Sequence, residues 1–554
     1  MSSVLDSRVE ESIENAAEAL FALQRPDGSW PNRRPTAVLG TAGALAALHF
    51  ADRERSHPLI ATGGDWLLRN QNADGGWGGV PGAATQLVPT VIAAAALHMV
   101  APAAARDEVR RAMGLLDSHG GLGAFTDPGM AHMAATFLGL AGLGDTRGAR
   151  RIPLELLLLP RSLWRRKLSF RVGPFVAMAL IQARGDLRYR LGRWAGLRTL
   201  AEMERRENRP GGYGGDNWLT ALVCLGLVRA EAPRRSIAAA VDFLRSNVNT
   251  DGSWHIMQGL DLISGSYVAR GLAECGYAPD PRVERTRRWL RGCQQTEAFA
   301  TFGAPAGGWG WEGRRGWPNV LDSANVLSAL VAGGDGPRSG LRWLAAKQDR
   351  RGSWSTFVSD TTLPNDGPCA YATAQCVDVL IESGVRARDT RVRRALDWLL
   401  ANPRPDGTYE AVWYRGLVPG TATALVAFGR AGITDHPVAR RARDALLAAQ
   451  LDDGSWGPGQ TGKLGQDPST GTVEETAWAL HGLLKAGVPA ADARVRRAAG
   501  WITSAQRPDG LWDASSVCTY IRDFAYYVDG LTVNGLALKA LGSYRAALRA
   551  GHAD

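Results

Sequence analysis

The stretch Gly307–Leu330, GGWGWEGRRGWPNVLDSANVLSAL, combines a buried-looking acidic side chain with a dense group of tryptophans. After Asp322 the sequence continues SANVLSAL, whose apolar residues fall at helical spacing, so Asp322 is predicted to lie in the first turn of an apolar helix. A carboxyl group beneath aromatic rings has the chemistry to donate a proton into a pocket that stabilises carbocations. The position also suits a structural carboxylate, because the helix dipole favours negative charge in the first turn.

The loop Gly352–Pro368, GSWSTFVSDTTLPNDGP, carries two further candidate carboxyl groups, those of Asp360 and Asp366. Asp-Thr and Asn-Asp-Gly are also common turn sequences, because the Asp side chain hydrogen-bonds to its own backbone. A catalytic and a structural interpretation therefore stay open for each of these residues.

The elements that must position these residues are predicted to be helices. The 554 residues suffice for two or three domains with cores of their own. Ala, Leu, Arg and Gly dominate, β-branched residues are modest, and alanine-rich apolar runs recur along the chain. This composition favours an all-α protein.

The formal net charge of +10 does not by itself indicate a nucleic-acid-binding protein. The arginines are spread over predicted helix faces, as in 391–394 and 440–443, and no nucleic-acid-binding motif is present. We expect most of this charge to be solvated, with a preference for an anionic membrane surface or a diphosphate.

The six cysteines, at positions 224, 275, 293, 369, 376 and 518, show no CxxC or other metal-binding spacing. Neither a zinc site nor a disulfide scaffold is therefore expected. The start MSSVLDSRVEES is polar and acidic, unlike a signal peptide, and no apolar run of about 18 residues predicts a membrane-spanning helix. These features predict a cytoplasmic protein.

A short motif recurs along the chain at intervals that suit two helices and a turn. Its Asp-Gly pair supplies a tight turn, and its aromatic residue buries a ring against neighbouring helix ends. One such unit cannot bury its own apolar faces, whereas stacked units can, either as an open solenoid or as a closed ring. The copies are QRPDGSW (Gln24–Trp30), QNADGGW (Gln71–Trp77), NTDGSW (Asn249–Trp254), GGW (Gly307–Trp309), QDRRGSW (Gln348–Trp354), PRPDGTY (Pro403–Tyr409), QLDDGSW (Gln450–Trp456) and QRPDGLW (Gln506–Trp512), with weaker echoes HGGLG at His119 and GGYGGDNW at Gly211.

These repeats resemble the QW motifs of triterpene and class II diterpene cyclases, typified by squalene–hopene cyclase. The resemblance covers nearly the whole chain and implies two (α/α) barrel domains with an apolar cavity between them. The N-terminal helix, within residues 1–30, is expected to join the catalytic-type barrel of residues 301–554. Residues 31–300 are then expected to form the inserted barrel.

The resemblance also locates the position of the family's catalytic acid. Those enzymes start their reaction with the middle Asp of an Asp-x-Asp-Asp motif at a helix start, and the three aspartates correspond here to Asn319, Leu321 and Asp322. A following helix of hopene cyclases presents Asp-Val-Thr-Ala-His, whose His supports the acid. The matching residues here begin with Tyr371 and end with Gln375. The usual acid and its partners are therefore replaced together.

Three ways of starting the reaction remain open. Asp322 acts alone, although it stands one residue, or about 100° of helix rotation, past the family's acid. Alternatively, Asp360 or Asp366 has taken over. In the third case protonation does not start the reaction, and the cavity ionises or transfers an allylic diphosphate or only binds an isoprenoid.

The aromatic lining implied by the resemblance is retained. Ring faces stabilise cations by about 0.5–2 kcal/mol each when desolvated. The residues that match cavity aromatics are Phe170, Trp311, Phe357, Trp413 and Phe524, to which Trp317, Tyr371 and Tyr527 are added as candidates; Asn319, Leu321 and Gln375 complete the predicted substrate-binding set.

Residues 151–175 resemble the Pro- and Leu-rich segment of hopene cyclases that leads towards the cavity. Leucines and arginines lie side by side in this segment, which suits peripheral contact with a membrane and entry of a lipid, or equally a buried turn with arginines that reach solvent. No metal site and no DDxxD motif are present. Mg²⁺ is expected only if the substrate is a diphosphate.

The sequence thus predicts a terpenoid cyclase that acts on a linear polyprenoid through carbocations. The chain is shorter than typical hopene cyclases, so a C20 isoprenyl diphosphate is favoured and a squalene-type substrate comes next. The expected partner is this small molecule, without nucleic acid. The rival hypothesis is a non-catalytic isoprenoid-binding protein, and the sequence makes no prediction of oligomeric state.

Overall fold

The computed structural model describes residues 4–32, 35–125, 127–144, 152–182, 187–207, 209–257, 260–459, 469–520 and 524–551. Within them the chain is almost wholly helical, which confirms the predicted all-α fold. The helices of the first half are α1 (Val4–Leu23), α2 (Val38–Ala51), α3 (Arg53–Arg69), α4 (Leu87–Val100), α5 (Arg106–Ser118), α6 (Pro128–Ala141), α7 (Arg161–Leu168), α8 (Val172–Ile181), α9 (Leu187–Glu204), α10 (Asn217–Arg229) and α11 (Arg234–Ser246).

The second half continues the alternation of buried and amphipathic helices. It also contains one short hairpin of β-strands, which the sequence did not predict. The elements are α12 (Asp261–Leu272), α13 (Pro281–Gly292), α14 (Val320–Val331), α15 (Arg338–Ala346), α16 (Ala370–Glu382), α17 (Thr390–Ala401), α18 (Val418–Arg430), α19 (Pro437–Ala448), α20 (Val473–Lys485), α21 (Ala493–Ser504), β1 (Cys518–Tyr520), β2 (Ala525–Tyr527) and α22 (Thr532–Gly551).

The helices sort into inner and outer layers by the distribution of their apolar residues. In α2 and α14 nearly every residue is buried, and such all-round apolar helices need neighbours on every side. In α15 only Gly340, Trp343 and Leu344 are buried, which is the single stripe of an outer helix. Buried helices therefore form the inner layer, and amphipathic helices cover it.

The inner helices form two rings, which confirms the prediction of two (α/α) barrels. Among the described residues, the first ring consists of α2, α4, α6, α8 and α10, and α10 packs back against α2. The second ring consists of α12, α14, α16, α18, α20 and α22, and α22 packs back against α12. That closure is tight, because a Cβ on Gly271 of α12 would stand 2.4 Å from the carbonyl oxygen of Gly535 in α22.

The boundary between the barrels lies earlier in the chain than residue 300, where the sequence interpretation placed it. Helix α12 belongs to the second ring through its contacts with α14 and α22, and α13 covers α12 and α14. The first barrel therefore ends before Asp261. The repeat at Asn249–Trp254 closes the first ring, because the backbone N–H of Trp254 donates to Thr41 Oγ1 at 3.0 Å in α2.

The aromatic residue of each repeat ties an outer helix to the next inner helix. Trp456 is completely buried; its Nε1 donates to the carbonyl oxygen of Leu446 in α19 at 2.7 Å. Its backbone N–H donates to Thr476 Oγ1 in α20 at 3.0 Å. The corresponding ring donors and carbonyl acceptors elsewhere are Trp30 and Leu20, Trp77 and Leu67, Trp254 and Leu244, Trp309 and Leu290, Trp354 and Leu344, Tyr409 and Leu399, and Trp512 and Ile502.

The glutamine of the repeat links successive outer helices. Gln450 Nε2 donates at 2.9 Å to Gly454 O in its own turn and at 2.9 Å to Arg494 O in α21. Gln506 makes the same two bonds, but its second acceptor is Ser12 O in α1. Helix α1 thus stands as the outer helix that follows α21 around the second ring.

The hairpin of β1 and β2 leaves the second barrel and meets the first. Its strands are antiparallel, with Thr519 opposite Tyr526. The backbone N–H of Tyr526 donates to Gln86 Oε1 at 3.1 Å, and a Cβ on Gly79 would stand 2.0 Å from the carbonyl oxygen of Tyr526. Only glycine at position 79 allows this approach, which brings the hairpin to the junction of the two barrels.

Candidate active site

A cavity lies where the two barrels and the hairpin meet. Its free volume is about 90 Å³ and its wall is mainly apolar. Nine of the predicted site residues line it: Phe170, Trp311, Trp317, Asn319, Leu321, Asp322, Phe357, Trp413 and Tyr527. The other lining residues are Pro174, Gly214, Asp216, Leu219, Met257, Leu260, Ile263, Thr356, Tyr414, Thr519 and Tyr520.

Phe357 is the centre of the aromatic wall. Its ring centroid lies 5.1 Å from that of Phe170, 5.9 Å from that of Trp413 and 6.0 Å from that of Trp311. Most of these pairs meet edge to face, which is a favourable arrangement of ring quadrupoles. One barrel supplies Phe170 and the other supplies the remaining rings, so the aromatic wall spans the junction.

Each indole of the wall is anchored by its N–H. Trp311 Nε1 donates to Gly214 O at 2.9 Å, and Trp413 Nε1 donates to Thr356 Oγ1 at 2.9 Å. Trp317 Nε1 donates to Glu207 Oε1 at 2.9 Å. Because the polar edge of every ring is satisfied, the rings hold fixed positions and line the cavity with apolar carbon.

Asp322 is a buried carboxyl group in the cavity wall, 3% exposed. Asn319 is the N-cap of α14: its Oδ1 accepts the backbone N–H of Asp322 at 2.9 Å, while its Nδ2 donates to Asp322 Oδ2 at 2.5 Å. The backbone N–H of Trp311 also donates to this carboxyl group. Burial raises the pKa of Asp322 to about 7, against the effect of these donors.

The helix start places both Leu321 and Asp322 on the cavity. Helix α14 begins at Val320, one residue after its Asn319 cap, so Asp322 occupies the first turn as predicted. Asp322 lines the cavity in this register, although it stands one residue past the position of the family's acid. Among the described residues that line the cavity, none is Lys, Arg or His. Asp322 therefore has no cationic partner in the wall.

Asp366 does not line the cavity but holds its aromatic wall in place. Its carboxylate accepts the backbone N–H of Phe357 at 2.6 Å and of Val358 at 3.2 Å, and it accepts the hydroxyl of Ser169. Ser169 precedes Phe170, so Asp366 fixes a ring from each barrel. Burial raises the pKa of Asp366 to about 6.

Asp360 lies away from the cavity, near the surface. Its carboxylate accepts the backbone N–H of Arg350 at 2.7 Å and pairs with the Arg166 and Arg350 guanidinium groups at 3.4 Å. Its backbone is left-handed, with φ of 61°, a conformation that Asp tolerates in turns. The structure thus gives Asp360 the contacts of a turn residue.

Three other predicted residues lie beside the cavity. Phe524 stacks near Trp218 and Tyr520, with ring centroids 5.8 and 5.9 Å away. Tyr371 and Gln375 line a separate polar pocket inside the second barrel. That pocket meets the cavity through hydroxyl groups: Tyr267 lies 2.8 Å from both the Tyr371 oxygen and the Tyr414 oxygen.

Sequence reasoning missed two acidic features of the site. Asp216 lines the cavity from the first barrel, and Glu207 is hydrogen-bonded to Glu312 behind Trp317. Burial, followed by the charge of Glu312, raises the pKa of Glu207. A signal was present in the sequence: GGYGGDNW, like GGWGWEGRRGWPN, replaces the regular Asp-Gly turn before an inner helix.

Two family models match this chain. The squalene-hopene cyclase C-terminal domain matches residues 301–546, and the squalene-hopene cyclase N-terminal domain matches residues 13–171. Together they cover well over half of the sequence. The chain belongs to the squalene–hopene cyclase family. It is a terpene cyclase, as the repeats predicted.

The alignments with similar proteins cover almost the whole chain of this cyclase. A probable squalene–hopene cyclase of Sinorhizobium fredii is 23% identical over 91% of this chain and 92% of its own length. The squalene–hopene cyclase of Bradyrhizobium diazoefficiens is 24% identical over 92% and 91%. The structure of ent-copalyl diphosphate synthase from Streptomyces platensis superposes with a TM-score of 0.62 and 20% identity, covering 98% of this chain and all of that one. This last likeness concerns the fold.

Proposed function

We propose that this cyclase folds a linear polyprenoid into the inter-barrel cavity and starts its cyclisation by protonation from Asp322. The observation that carries the proposal is a carboxyl group with a pKa near 7 that lines an aromatic cavity without a cationic neighbour. At neutral pH a large fraction of such a group keeps its proton, as a general acid must.

The first step is proton transfer from Asp322 to a terminal double bond of the substrate. The alkene electron pair forms a new C–H bond, the O–H bond of the acid breaks, and a tertiary carbocation and a carboxylate result. Asn319 Nδ2 and the backbone N–H of Trp311 donate to that carboxylate. Hydrogen bonds that strengthen as charge develops lower the barrier to the transfer.

The aromatic wall then stabilises the cation as rings close. Phe357, Trp311 and Trp413 offer π-faces, each worth about 0.5–2 kcal/mol to a desolvated cation. Because the wall is apolar, water is excluded until the cation loses a proton or captures water.

For the substrate we propose a C20 isoprenyl diphosphate ahead of a squalene-type chain. No Lys, Arg or His is among the described lining residues, so the diphosphate is expected outside the aromatic cavity. Arg171 is the candidate for this role because it lines a small adjoining pocket. Its guanidinium is paired with Asp127 at 2.8 Å, and the diphosphate would share this cation with that carboxylate. Pro174 is shared by that pocket and the cavity. A chain between the two would place its alkene end near Asp322.

Mg²⁺ would enter with such a substrate. No group of three or more His, Cys, Asp and Glu side chains in the described residues is arranged to hold a metal ion. We expect any Mg²⁺ to be held mainly by the diphosphate.

The experiment is incubation of the purified protein with geranylgeranyl diphosphate, farnesyl diphosphate, squalene and oxidosqualene, each with and without Mg²⁺, followed by mass spectrometry. We expect cyclic products from the C20 diphosphate. Cyclic products from squalene alone would reverse the substrate proposal. Release of the diphosphate without protonation would favour an ionising enzyme, and tight binding without any product would favour an isoprenoid-binding protein.

We also propose that the segment 152–175 contacts a membrane and admits the substrate. Leu156, Leu158, Leu159 and Leu163 are 45–58% exposed, and Arg161, Arg165 and Arg166 lie beside them. The segment also lines an apolar groove of about 720 Å³. Residue 151, with which the predicted segment begins, lies outside the described residues, and no helix in the described part of the chain is long and apolar enough to cross a membrane.

This contact is tested by flotation with vesicles that contain phosphatidylglycerol. Leu163→Asp should weaken binding, because it removes exposed apolar area and adds a negative charge. Leu23→Asp is the matched control, since Leu23 is 44% exposed at the end of α1. Equal binding of both variants would contradict the membrane contact.

A further inference from the structure

A second carboxyl group, that of Asp216, lines the cavity from the opposite barrel. Asp216 precedes α10 of the first barrel, whereas Asp322 belongs to α14 of the second. It is 3% exposed and stands between Gly214 and Leu219, which also line the cavity. The cavity is thus bordered by one acidic side chain from each barrel.

The two oxygens of Asp216 have different partners. Oδ1 caps α10 by accepting the backbone N–H of Leu219 at 2.9 Å. Oδ2 accepts the hydroxyl of Tyr520, which comes from strand β1 of the second barrel and also lines the cavity. The backbone N–H of Trp218 donates to the same carboxyl group.

Helix capping alone does not account for this arrangement. Asp389 and Asp492 cap α17 and α21 through one oxygen at exposed turns, and neither accepts a hydrogen bond from a phenol of the described residues. Asp216 also caps α10 through one oxygen, but it is buried, and its second oxygen accepts a hydrogen bond from the Tyr520 hydroxyl of the second barrel. The hydrogen bond from Tyr520 therefore orients the second oxygen of Asp216, and both residues line the cavity.

The hydrogen-bond donors separate the roles of the two carboxyl groups. Asp216 receives two backbone N–H groups from the start of α10 and a phenol, whereas Asp322, which lies in the first turn of α14, receives one side-chain amide and one backbone N–H. Donors that point at a carboxylate favour its charged form. The carboxylate form of Asp216 therefore has more hydrogen-bond support than that of Asp322, while burial opposes the charged form of both groups.

We infer that Asp216, held by Tyr520, is the base that ends the reaction by taking a proton from the last carbocation. The inference rests on the proposed function, because it takes the carbocation that protonation by Asp322 generates as the species that loses the proton. In this step a C–H bond next to the cationic carbon breaks, its electron pair forms the new double bond, and the proton passes to the Asp216 carboxylate. With protonation by Asp322, the substrate atoms balance as an isomerisation. After product release Asp216 loses its proton to water and Asp322 takes one up, which restores both groups.

The pair also explains how one cavity holds an acid and a base at once. Each is on a different barrel, so a substrate that lies across the junction has its first-protonated end at α14 and later cations nearer α10. Burial, with a smaller contribution from the charge of Glu312, raises the pKa of Asp216 to about 7, the same value as for Asp322. Near neutral pH both forms of each group are populated, so the barrel on which each group lies, and not its pKa, assigns its role.

The test is the product spectrum of Asp216→Asn. Asparagine keeps the helix cap and can still hydrogen-bond Tyr520, so the fold should persist. We expect turnover within an order of magnitude of wild type, and a several-fold larger share of products that arise by water capture or by proton loss at another carbon. Substrate deuterated at the departing position should show an isotope effect on this partition in wild type.

A second variant and a control keep the inference falsifiable. Tyr520→Phe should shift the products in the same direction but less, and Asp492→Asn, which alters an exposed helix cap, should leave them unchanged. An unchanged spectrum in Asp216→Asn would overturn the inference, as would loss of every product, which would make Asp216 the initiating acid. If wild type itself gave no cyclic product, the proposed function would be overturned, whereas a cyclic product from wild type with an unchanged spectrum in Asp216→Asn would overturn only the inference.

Discussion

The regular turns of the repeat and the two turns beside the cavity use acidic residues in opposite ways. In a regular turn, Asp453 Oδ1 accepts the backbone N–H of Ser455 at 2.9 Å and its hydroxyl at 2.5 Å. Although partial burial opposes it, the hydrogen bonds from Ser455 lower the pKa of Asp453. In the altered turns burial raises the pKa of Asp216 and of Asp322 to about 7.

The difference is one of solvation rather than of residue type. An exposed Asp keeps water around its charge and gains local donors, so it stays ionised and serves the turn. An Asp beneath tryptophans loses that water, and its few donors do not restore the charged form. The chemistry of this cyclase therefore resides where the repeat departs from its own consensus.

The largest expected effect comes from removing the acid of an altered turn. Asp322→Asn should lower the rate of product formation by on the order of 10³-fold, because it removes the proton that starts the reaction and leaves the other described lining carboxyl group, Asp216, on the opposite barrel. The rate is measured under single-turnover conditions with the substrate that wild type accepts.

The same variant should not be less stable than wild type. The pKa of Asp322 is raised in the folded state, so wild type loses stability as pH rises from the unfolded value towards about 7. Asparagine is free of that loss, and its melting temperature should exceed that of wild type at pH 8. If Asp322→Asn kept the activity of wild type, Asp322 would not be the initiating acid, and Asp216 or Asp366 would become the candidate.

Truncation of a regular turn should show the reverse pattern. Trp456→Ala removes a completely buried ring and its bond to Leu446 O, and is expected to lower the free energy of unfolding by about 3–5 kcal/mol. Activity per folded molecule should be retained at a temperature where the variant is folded. A selective loss of activity at full stability would break the comparison.

The pH dependence should follow the cavity and not the turns. The proton-donating form of Asp322 predominates below its pKa of about 7, so the initiation rate is expected to fall about tenfold per pH unit above that value. Single-turnover rates between pH 5.5 and 9 measure this slope. A flat profile through pH 8 would exclude Asp322 as the acid.

A smaller effect is expected from the glutamine that links outer helices. Gln450→Ala removes two hydrogen bonds to carbonyl oxygens, which corresponds to about 1–2 kcal/mol of the free energy of unfolding. Denaturant unfolding measures the change. Product composition should not change, because Gln450 is not among the residues that line the cavity.

The smallest effect is expected from Asp453→Asn, the matched control for Asp322→Asn. Asparagine can still accept from Ser455, so the loss should stay below about 1 kcal/mol. The lowered pKa of Asp453 contributes stability above the unfolded value, so this loss should fade as pH falls below about 4. A large activity loss here would remove the distinction between the two kinds of turn.

The fold could be predicted largely because its signals are local and repeated. Each Gln, Asp-Gly and Trp acts within one turn and the two helices beside it, as Trp456 does, so sequence spacing carries the information. The domain boundary was harder to predict, because the sequence of Asp261–Leu272 does not indicate to which of the two rings this helix belongs. Its membership depends on packing against α22, far along the chain.

The site could be predicted in part, for a related reason. The aromatic lining and Asp322 follow from one altered turn and from matched positions. Asp216 escaped notice because its environment is made by Tyr520, which is distant in sequence and reaches it through the unexpected hairpin. Asp360 and Asp366 looked alike in one loop, yet one faces arginines near the surface and the other is buried against Ser169.

The position of α1 also has a consequence for how the chain is made. This helix leaves the ribosome before every other described helix, but Gln506 holds its Ser12 carbonyl and α22 covers its apolar face. During synthesis the apolar face of α1 therefore stays without its final contacts until Gln506 and α22 have been translated. The first barrel can meanwhile assemble as a complete unit, so the final docking of α1 is expected to be the late event of folding.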